Sequence, residues 1–591
     1  MFTQQVSLCK QIVREHYGPI VEAVAAVLIH EGRQPLGLII RQTKLSPRTV
    51  RNALAVLIQH SIATHSTCEK TARRDTYYSI SLKNILRLQR AGLYLALVEE
   101  RMGGDGLAVF RAIMVNGLMS IGGVREVLGV AQMGGAAKLK FNSVVAKLVR
   151  ERFITAVTEQ DTVTKVDRIM QLEDAEISKM TIPPTAKELL TIRRRIMEQE
   201  EEAYHSTTVV GIKRRASVDI EPAHSSKLLM SANGYGVAVD NSSFDAGQQQ
   251  DHSNSQRPEA VDDELFFRAY YDRLDVFLRN QQIVNYFGDK YNAGAAAVAK
   301  CILRITEQHT RTCRVKVSND IPSSAIFQHI PPDIPLADSV DTAGDMFFQR
   351  LGGANGAHVD GEASGGELSS EKRSEMLYAL LEVVQADSSG IVARVDERGT
   401  GTYRVNFEHA ATVLRDQCLD ALVQEKFGSG HARFMRVLRD KQKLDEKVVS
   451  QATMLPIATC RERLHDLALA GMIDTVEIPR SADRNPSRMF YLWYVNFDKQ
   501  TRSAMRFVFQ GMSNVIARAN KEVAARHLLI AKTKREDVIA DQSLLTEAEH
   551  KELRILAKIK QRLAVANVRL DSMLLLINDI SPQSADLKLL Q

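Results

Sequence analysis

One helix pattern stands twice in this chain, 410 residues apart. The first copy runs Ser46-Pro47-Arg48-Thr49-Val50-Arg51-Asn52-Ala53-Leu54, then Leu57, Ile58, Ser61 and Ile62. The second runs Pro456-Ile457-Ala458-Thr459-Cys460-Arg461-Glu462-Arg463-Leu464, then Leu467, Ala468, Gly471 and Met472. Overlaid without gaps, Thr49 falls on Thr459, Arg51 on Arg461, Leu54 on Leu464 and Leu57 on Leu467. Each copy follows a shorter helical stretch and precedes a charged, strand-like hairpin. Helix, turn, helix and wing in that order predict a winged-helix module, whose last helix can enter a DNA groove.

In the first module, residues 1–84, Leu8, Ile12, Val13, Ile20, Val24, Val27 and Leu28 recur at helical spacing, with a break expected at Gly18-Pro19. A short second helix is expected over 35–43. Ser46 as cap, with Pro47 at the first helical position, starts the third. Its apolar stripe turns Arg48, Arg51, Asn52 and Gln59 outward, and Arg73 and Arg74 fall at the wing tip.

The second module, 85–182, is read as helices over 107–118, 121–128 and 138–152, with Lys138, Lys140, Asn142 and Lys147 outward. Residues 183–261 combine a charged helix with a Ser-, Asn- and Gln-rich disordered linker. Lys213, Arg214 and Arg215 inside it read as an import signal, or Ser217 as a phosphorylation site; short basic runs also arise by chance. A third module spans 262–407, opening with an aromatic-rich helix and interrupted by a low-complexity insertion at 352–370. Its helix over 293–308 matches the repeat poorly, having no cations where Arg51 and Arg461 stand. The fourth module, 408–497, carries Arg461 and Arg463 on its third helix and Arg480 and Arg484 in its wing; Trp493 in its last strand is read as core packing in preference to the alternative, a stacking platform. In 498–591, Leu556, Ile559, Leu563, Ala566, Leu570, Met573 and Ile577 form a heptad seam, and Thr546 with Glu549 a capping box. The fold expected is mainly α with small β-wings: four tandem winged-helix domains followed by a C-terminal coiled-coil helical hairpin.

Bulk properties limit the chemistry. At 591 residues the chain exceeds the ~250–300 residues of a single core, so several domains are required. Residues 1–85 hold 11 Lys/Arg against 5 Asp/Glu, and 498–591 hold 16 against 11, so positive charge is localised. Six scattered cysteines with no C-x-x-C pair suit a reducing compartment and no zinc site. No phosphate-binding loop, metalloprotease motif or nucleophile elbow is present, and neither cofactor nor metal is expected. No secretory signal or membrane span is read.

The order of modules, together with Leu8, His16-Tyr17-Gly18, Val27-Leu28, Leu45-Ser46 and the helix from Val50 to Leu57, resembles the winged-helix subunit of nuclear RNA polymerase III. That family belongs to an initiation-specific three-subunit subcomplex and is similar to transcription factor IIE alpha. The resemblance implies a non-catalytic nuclear subunit acting in promoter recruitment and DNA opening. It implies two smaller initiation-specific subunits, the clamp of the largest subunit and DNA near the transcription bubble as partners. The residues alone leave two alternatives. A stand-alone winged-helix regulator would need a defined site and half-site symmetry. A scaffold without nucleic-acid contact would show no salt-dependent DNA binding.

Overall fold

The computed structural model describes residues 3–67, 76–130, 134–157, 159–179, 185–205, 212–213, 260–261, 265–330, 370–396, 401–479, 489–541 and 544–580. The chain is mainly helical, and its strands assemble into small sheets, four of them three-stranded among the described residues. It divides into two compact units, residues 1–274 with 509–571 and residues 275–508 with 572–591.

The first repeat begins with α1 (Thr3–Tyr17) and α2 (Pro19–Glu31). They are separated where expected, at Gly18 (φ 88°) followed by Pro19. Leu8, Ile12 and Val13 of α1 and Val24 and Leu28 of α2 are buried. Then come β1 (Gln34–Pro35), α3 (Leu36–Thr43) and α4 (Pro47–Gln59). Val50, Ala53, Leu54 and Leu57 are the buried stripe of α4. Ser46 caps it: its Oγ accepts the Thr49 amide at 3.2 Å. Replacing Ser46 with alanine is expected to cost about 1 kcal/mol, read as a lower urea midpoint for the first unit. The wing is β2 (Ala63–Thr67) and β3 (Thr76–Ile80), and β1 adds to the far edge of β3 through Gln34↔Tyr78 and Pro35↔Tyr77.

Lower in the chain the same elements return 410 positions on. Helices Ser429–Lys441, Glu446–Thr453 and Ile457–Leu469 and strand Leu444–Asp445 begin and end in step with α2, α3, α4 and β1. The backbone matches at its unusual positions too. Left-handed residues fall at Gly18 and Gly428, Gly32 and Gln442, Lys44 and Met454, and Ser61 and Gly471. Glycine suits that conformation at 471, whereas Ser61 adopts it against its steric preference. Leu444↔Trp493 is the counterpart of Gln34↔Tyr78, so Trp493 lies 415 rather than 410 residues on and the last wing is longer. Trp493 packs against the buried cluster of Phe434, Met435, Leu464 and Leu467, as core packing requires.

Between the two copies lie α5 (Leu82–Arg87), α6 (Ala91–Asn116), β4 (Met119–Ser120), α7 (Ile121–Val127), α8 (Gly135–Arg150) and β5 (Ile154–Ala156). Gly103 (φ 73°) interrupts α6 as Gly18 separates α1 from α2. Their sheet is closed from far along the chain. After α9 (Lys165–Ser178), α10 (Ala186–His205), β6 (Ile212–Lys213) and β7 (Ala260–Val261), strand β8 (Phe266–Ala269) inserts between β4 and β5. The pairs Met119↔Phe267 and Ile154↔Ala269 set its register. This corrects two expectations. Residues 266–269 are a strand, not the start of a helix, and the segment read as an interdomain linker runs from β5 to β8 within the wing of the second sheet. Phe266, Tyr270 and Leu274 lie at helical spacing, but exposed Phe266 beside buried Phe267 shows the alternation of a strand. Within that excursion Ile212↔Val261 and Lys213↔Ala260 form a two-stranded ladder, and the rest of the Ser/Asn-rich stretch lies outside the described residues.

Next come α11 (Tyr271–Lys290), α12 (Ala293–Glu307), β9 (Ile321–Pro322), α13 (Ser323–His329), α14 (Ser370–Gln385), β10 (Val392–Asp396) and β11 (Thr402–Val405). The sheet order β10-β11-β9 repeats that of the others. The helix preceding this wing is α14, so α12 was the wrong element to compare with α4; it occupies the place of α2. Residues 331–369, which separate α13 from α14 and contain the expected insertion, lie outside the described residues. The last repeat follows as α15 (Phe407–Phe427), α16 (Ser429–Lys441), β12 (Leu444–Asp445), α17 (Glu446–Thr453), α18 (Ile457–Leu469), β13 (Asp474–Pro479) and β14 (Met489–Tyr494).

The chain ends in two long helices, α19 (Phe497–Ala525) and α22 (Glu547–Leu574), with short α20 (His527–Thr533) and α21 (Glu536–Ala540) between them. The expected capping box is present, the Thr546 amide donating to Glu549 Oε2 at 2.8 Å. Lys532 and that amide hold the Glu549 carboxyl at about 2. Gly511 of α19 lies against Leu570 of α22, and Arg526 pairs with Glu552 at 3.0 Å. In the first unit the hairpin is pinned by polar contacts. Ser513 Oγ donates to Gln11 Oε1 at 2.8 Å, Asn567 Nδ2 to Gln89 Oε1 at 2.6 Å, and Arg90 Nε to Asp571 Oδ2 at 2.9 Å.

Candidate nucleic-acid interface

Burial of Val50, Ala53, Leu54 and Leu57 leaves Arg48, Arg51 and Asn52 on the exposed face of α4. Neither arginine meets a carboxylate among the described residues. Two further exposed cations, Arg41 in the last turn of α3 and Lys44 in the turn that follows, were missed in the sequence. The signal was available: both precede the Ser46 cap on the segment that leads into α4. Arg73 and Arg74 lie outside the described residues; the wing strands leading to them end at Thr67 and start again at Thr76. Arg33 is committed elsewhere, pairing with Asp167 and lying 5.1 Å from the Tyr77 ring centroid.

On α8, Lys138 and Lys140 are exposed, and Lys140 pairs with Asp105 at 2.7 Å. Both partners of that pair are well solvated, so it contributes little. Lys140→Ala is expected to shift unfolding by less than about 1 kcal/mol, checked by thermal melting. Asn142 is turned inward enough to accept Arg125 Nη2 at 2.8 Å.

The last repeat has the same backbone and different chemistry. Arg461 is exposed but paired with Glu446 at the start of α17. Arg463 does not face outward as expected: it is half-buried against α16, beside Gly430 and with its guanidinium 5.9 Å from the Phe434 ring centroid. Two residues beyond Arg461, hence about 200° round the helix, it is turned onto the neighbouring helix. Arg480 and Arg484 lie outside the described residues, as do Arg214, Arg215 and Ser217, while Lys213 stands in the β6–β7 ladder.

Among the described residues no group of three or more His, Cys, Asp or Glu is placed to hold a metal ion. Cys9, Cys301, Cys313, Cys418 and Cys460 are buried free thiols. Burial pushes Cys9 up to about 12 and Cys418 to about 11, which suppresses the nucleophilic thiolate. No described helix is long and apolar enough to cross a membrane. What the surface does offer is fixed guanidinium and ammonium groups on a helix of groove-entering type, which can position a duplex through its phosphates.

Comparison with known proteins bears on the same segments. A family model described as RNA polymerase III subunit RPC82 matches residues 143–414, and the RNA polymerase III subunit RPC82 helix-turn-helix domain matches residues 7–67. The POLR3C C-terminal winged-helix domain matches residues 419–495. The chain is 25% identical to DNA-directed RNA polymerase III subunit RPC-3 of Coccidioides immitis (strain RS), covering 97% of this chain and 99% of that one. It is 24% identical to subunit RPC3 of Bos taurus and 23% identical to that of Homo sapiens, each over 94% of this chain and 91% of the relative.

Proposed function

Because this chain belongs to the family of winged-helix subunits of RNA polymerase III, we propose that it anchors promoter DNA to that polymerase during recruitment, DNA opening and initiation. It is an accessory subunit, and the bond-making chemistry belongs to larger chains. Its partners in this reading are other polymerase subunits, including two smaller initiation-specific ones and the clamp of the largest, and it acts in the nucleus. The reading rests on one observation above the rest: Arg48 and Arg51 are exposed on α4 of the first repeat, and among the described residues no carboxylate neutralises them. Cations so placed release counterions from a duplex, which supplies affinity without selecting a sequence. Asn52 and the wing residues Arg73 and Arg74 extend the proposed contact, with Lys138 and Lys140 as a second, weaker one.

The test places a photoreactive p-benzoylphenylalanine at position 51 of the chain, within polymerase III assembled on end-labelled promoter DNA. Adducts between this chain and DNA, obtained with polymerase subunits co-purifying, are the expected result. Absence of DNA adducts from positions 48 and 51 alike would show that the first repeat docks protein instead.

A further inference from the structure

The 410-residue duplication provides an internal control, one backbone carrying two surfaces. The turn between α3 and α4 holds Lys44 at φ 56° in the first copy, and that between α17 and α18 holds Met454 at φ 55° in the last. Left-handed geometry is disfavoured for both, so the fold demands it and only the side chain's chemistry has diverged. Met454 is 84% exposed. Singly, an exposed apolar residue means little. Here its neighbours have changed in the same sense.

Arg41 and Arg48 of the first copy are replaced by Gln451 and Ala458, and Pro47 by Ile457, which is 40% exposed, while Val448 at 42% keeps the exposed apolar character of its counterpart Leu38 at 43%. The charge is cancelled as well. Leu36 is replaced by Glu446, which pairs with the retained Arg461. Asn52 is replaced by Glu462, whose charge offsets that of Lys447, where the first copy has Gly37. A face with four cations, none paired with a carboxylate among the described residues, has become one with no net charge and an apolar centre. Such a surface has no counterions to release from a polyanion, and burying Met454 and Ile457 against apolar groups is favourable. An acidic protein would gain nothing from it either.

We infer that the α17–α18 face of the last repeat docks an uncharged, apolar segment of a neighbouring polymerase subunit, and not nucleic acid. The inference depends on the proposed place of the chain in the polymerase. It assigns opposite partners to two copies of one fold, the difference residing in the replacements at 446, 451, 454, 458 and 462.

The experiment exchanges Met454 for p-benzoylphenylalanine in the full chain, assembled in polymerase III on promoter DNA with both strands labelled; the same substitution at Arg48 serves as comparison. Both side chains are solvent-facing, so neither exchange threatens folding. Position 454 is expected to form an adduct with one other polymerase subunit, identified by mass spectrometry, at a yield at least tenfold above any adduct with DNA. An adduct with DNA, an adduct with a second copy of this chain, or no adduct at 454 would each overturn the inference. Failure of the chain to co-purify with polymerase subunits would overturn the parent reading too, which separates the two outcomes.

Discussion

Replacing Asp571 with alanine is expected to loosen the C-terminal hairpin from the first unit by about 3–5 kcal/mol, the usual cost of stranding a buried charge. Asp571 stands near the end of α22 and accepts a bond from Arg90 Nε at 2.9 Å, with 1% and 2% of the two side chains exposed. The attraction between the partners offsets their desolvation only while both are present, so loss of one leaves the guanidinium in a medium that solvates it poorly. The neighbouring Asn567–Gln89 bond holds the same pair of elements together and transmits the loss to the rest of the helix. In a chain of several units, global unfolding is not a two-state measurement. Hydrogen exchange in Glu547–Leu574 is the suitable reading: protection there should fall by roughly two to three and a half orders of magnitude. The joint replacement Arg90→Met with Asp571→Leu should restore most of it, since an apolar pair of similar volume carries no stranded charge. Unchanged protection in D571A would mean that the pair does not hold the hairpin.

The second large effect concerns DNA. Each phosphate neutralised on a duplex contributes about 0.9 to the slope of log affinity against log salt, hence nearly tenfold in affinity at 0.1 M. Reversing Arg48 and Arg51 together to glutamate should therefore weaken binding of the purified chain by on the order of 10²-fold and reduce that slope by roughly 2. Arg461→Glu should do much less, because Glu446 already neutralises the arginine it replaces. Equal losses from the two repeats would argue that the Glu446 pair opens on binding and that both faces meet DNA.

Local signals carried most of what could be read from the sequence. Ser46-Pro47 and the apolar stripe of α4 are written within one helix, and so is the Thr546–Glu549 cap. The break at Gly18-Pro19 and the stop at Gly471 (φ 72°) are single-residue backbone requirements that glycine announces. Phe266–Ala269 was hidden for the opposite reason: its partners, Met119–Ser120 and Ile154–Ala156, lie more than a hundred residues upstream, and no local periodicity encodes a strand that completes a distant sheet. The place of α14 was lost because residues 331–369 intervene between it and α13. At the candidate interface, helical spacing identified Arg48 and Arg51 but not the inward turn of Arg463, which depends on Phe434 and Gly430 of another helix. The Glu446–Arg461 pair was within reach, since the overlay that aligns Arg51 with Arg461 also sets Leu36 against Glu446.

Promoter melting is the most direct test of the central claim, that a subunit with no catalytic machinery holds DNA to the polymerase through the basic face of its first repeat. Polymerase III rebuilt with R48E/R51E should contain the subunit in normal amount, yet expose fewer unpaired thymines to permanganate than the wild-type enzyme, increasingly so as salt is raised. Melting that is unchanged at every salt concentration, with the variant subunit present in full, would contradict it.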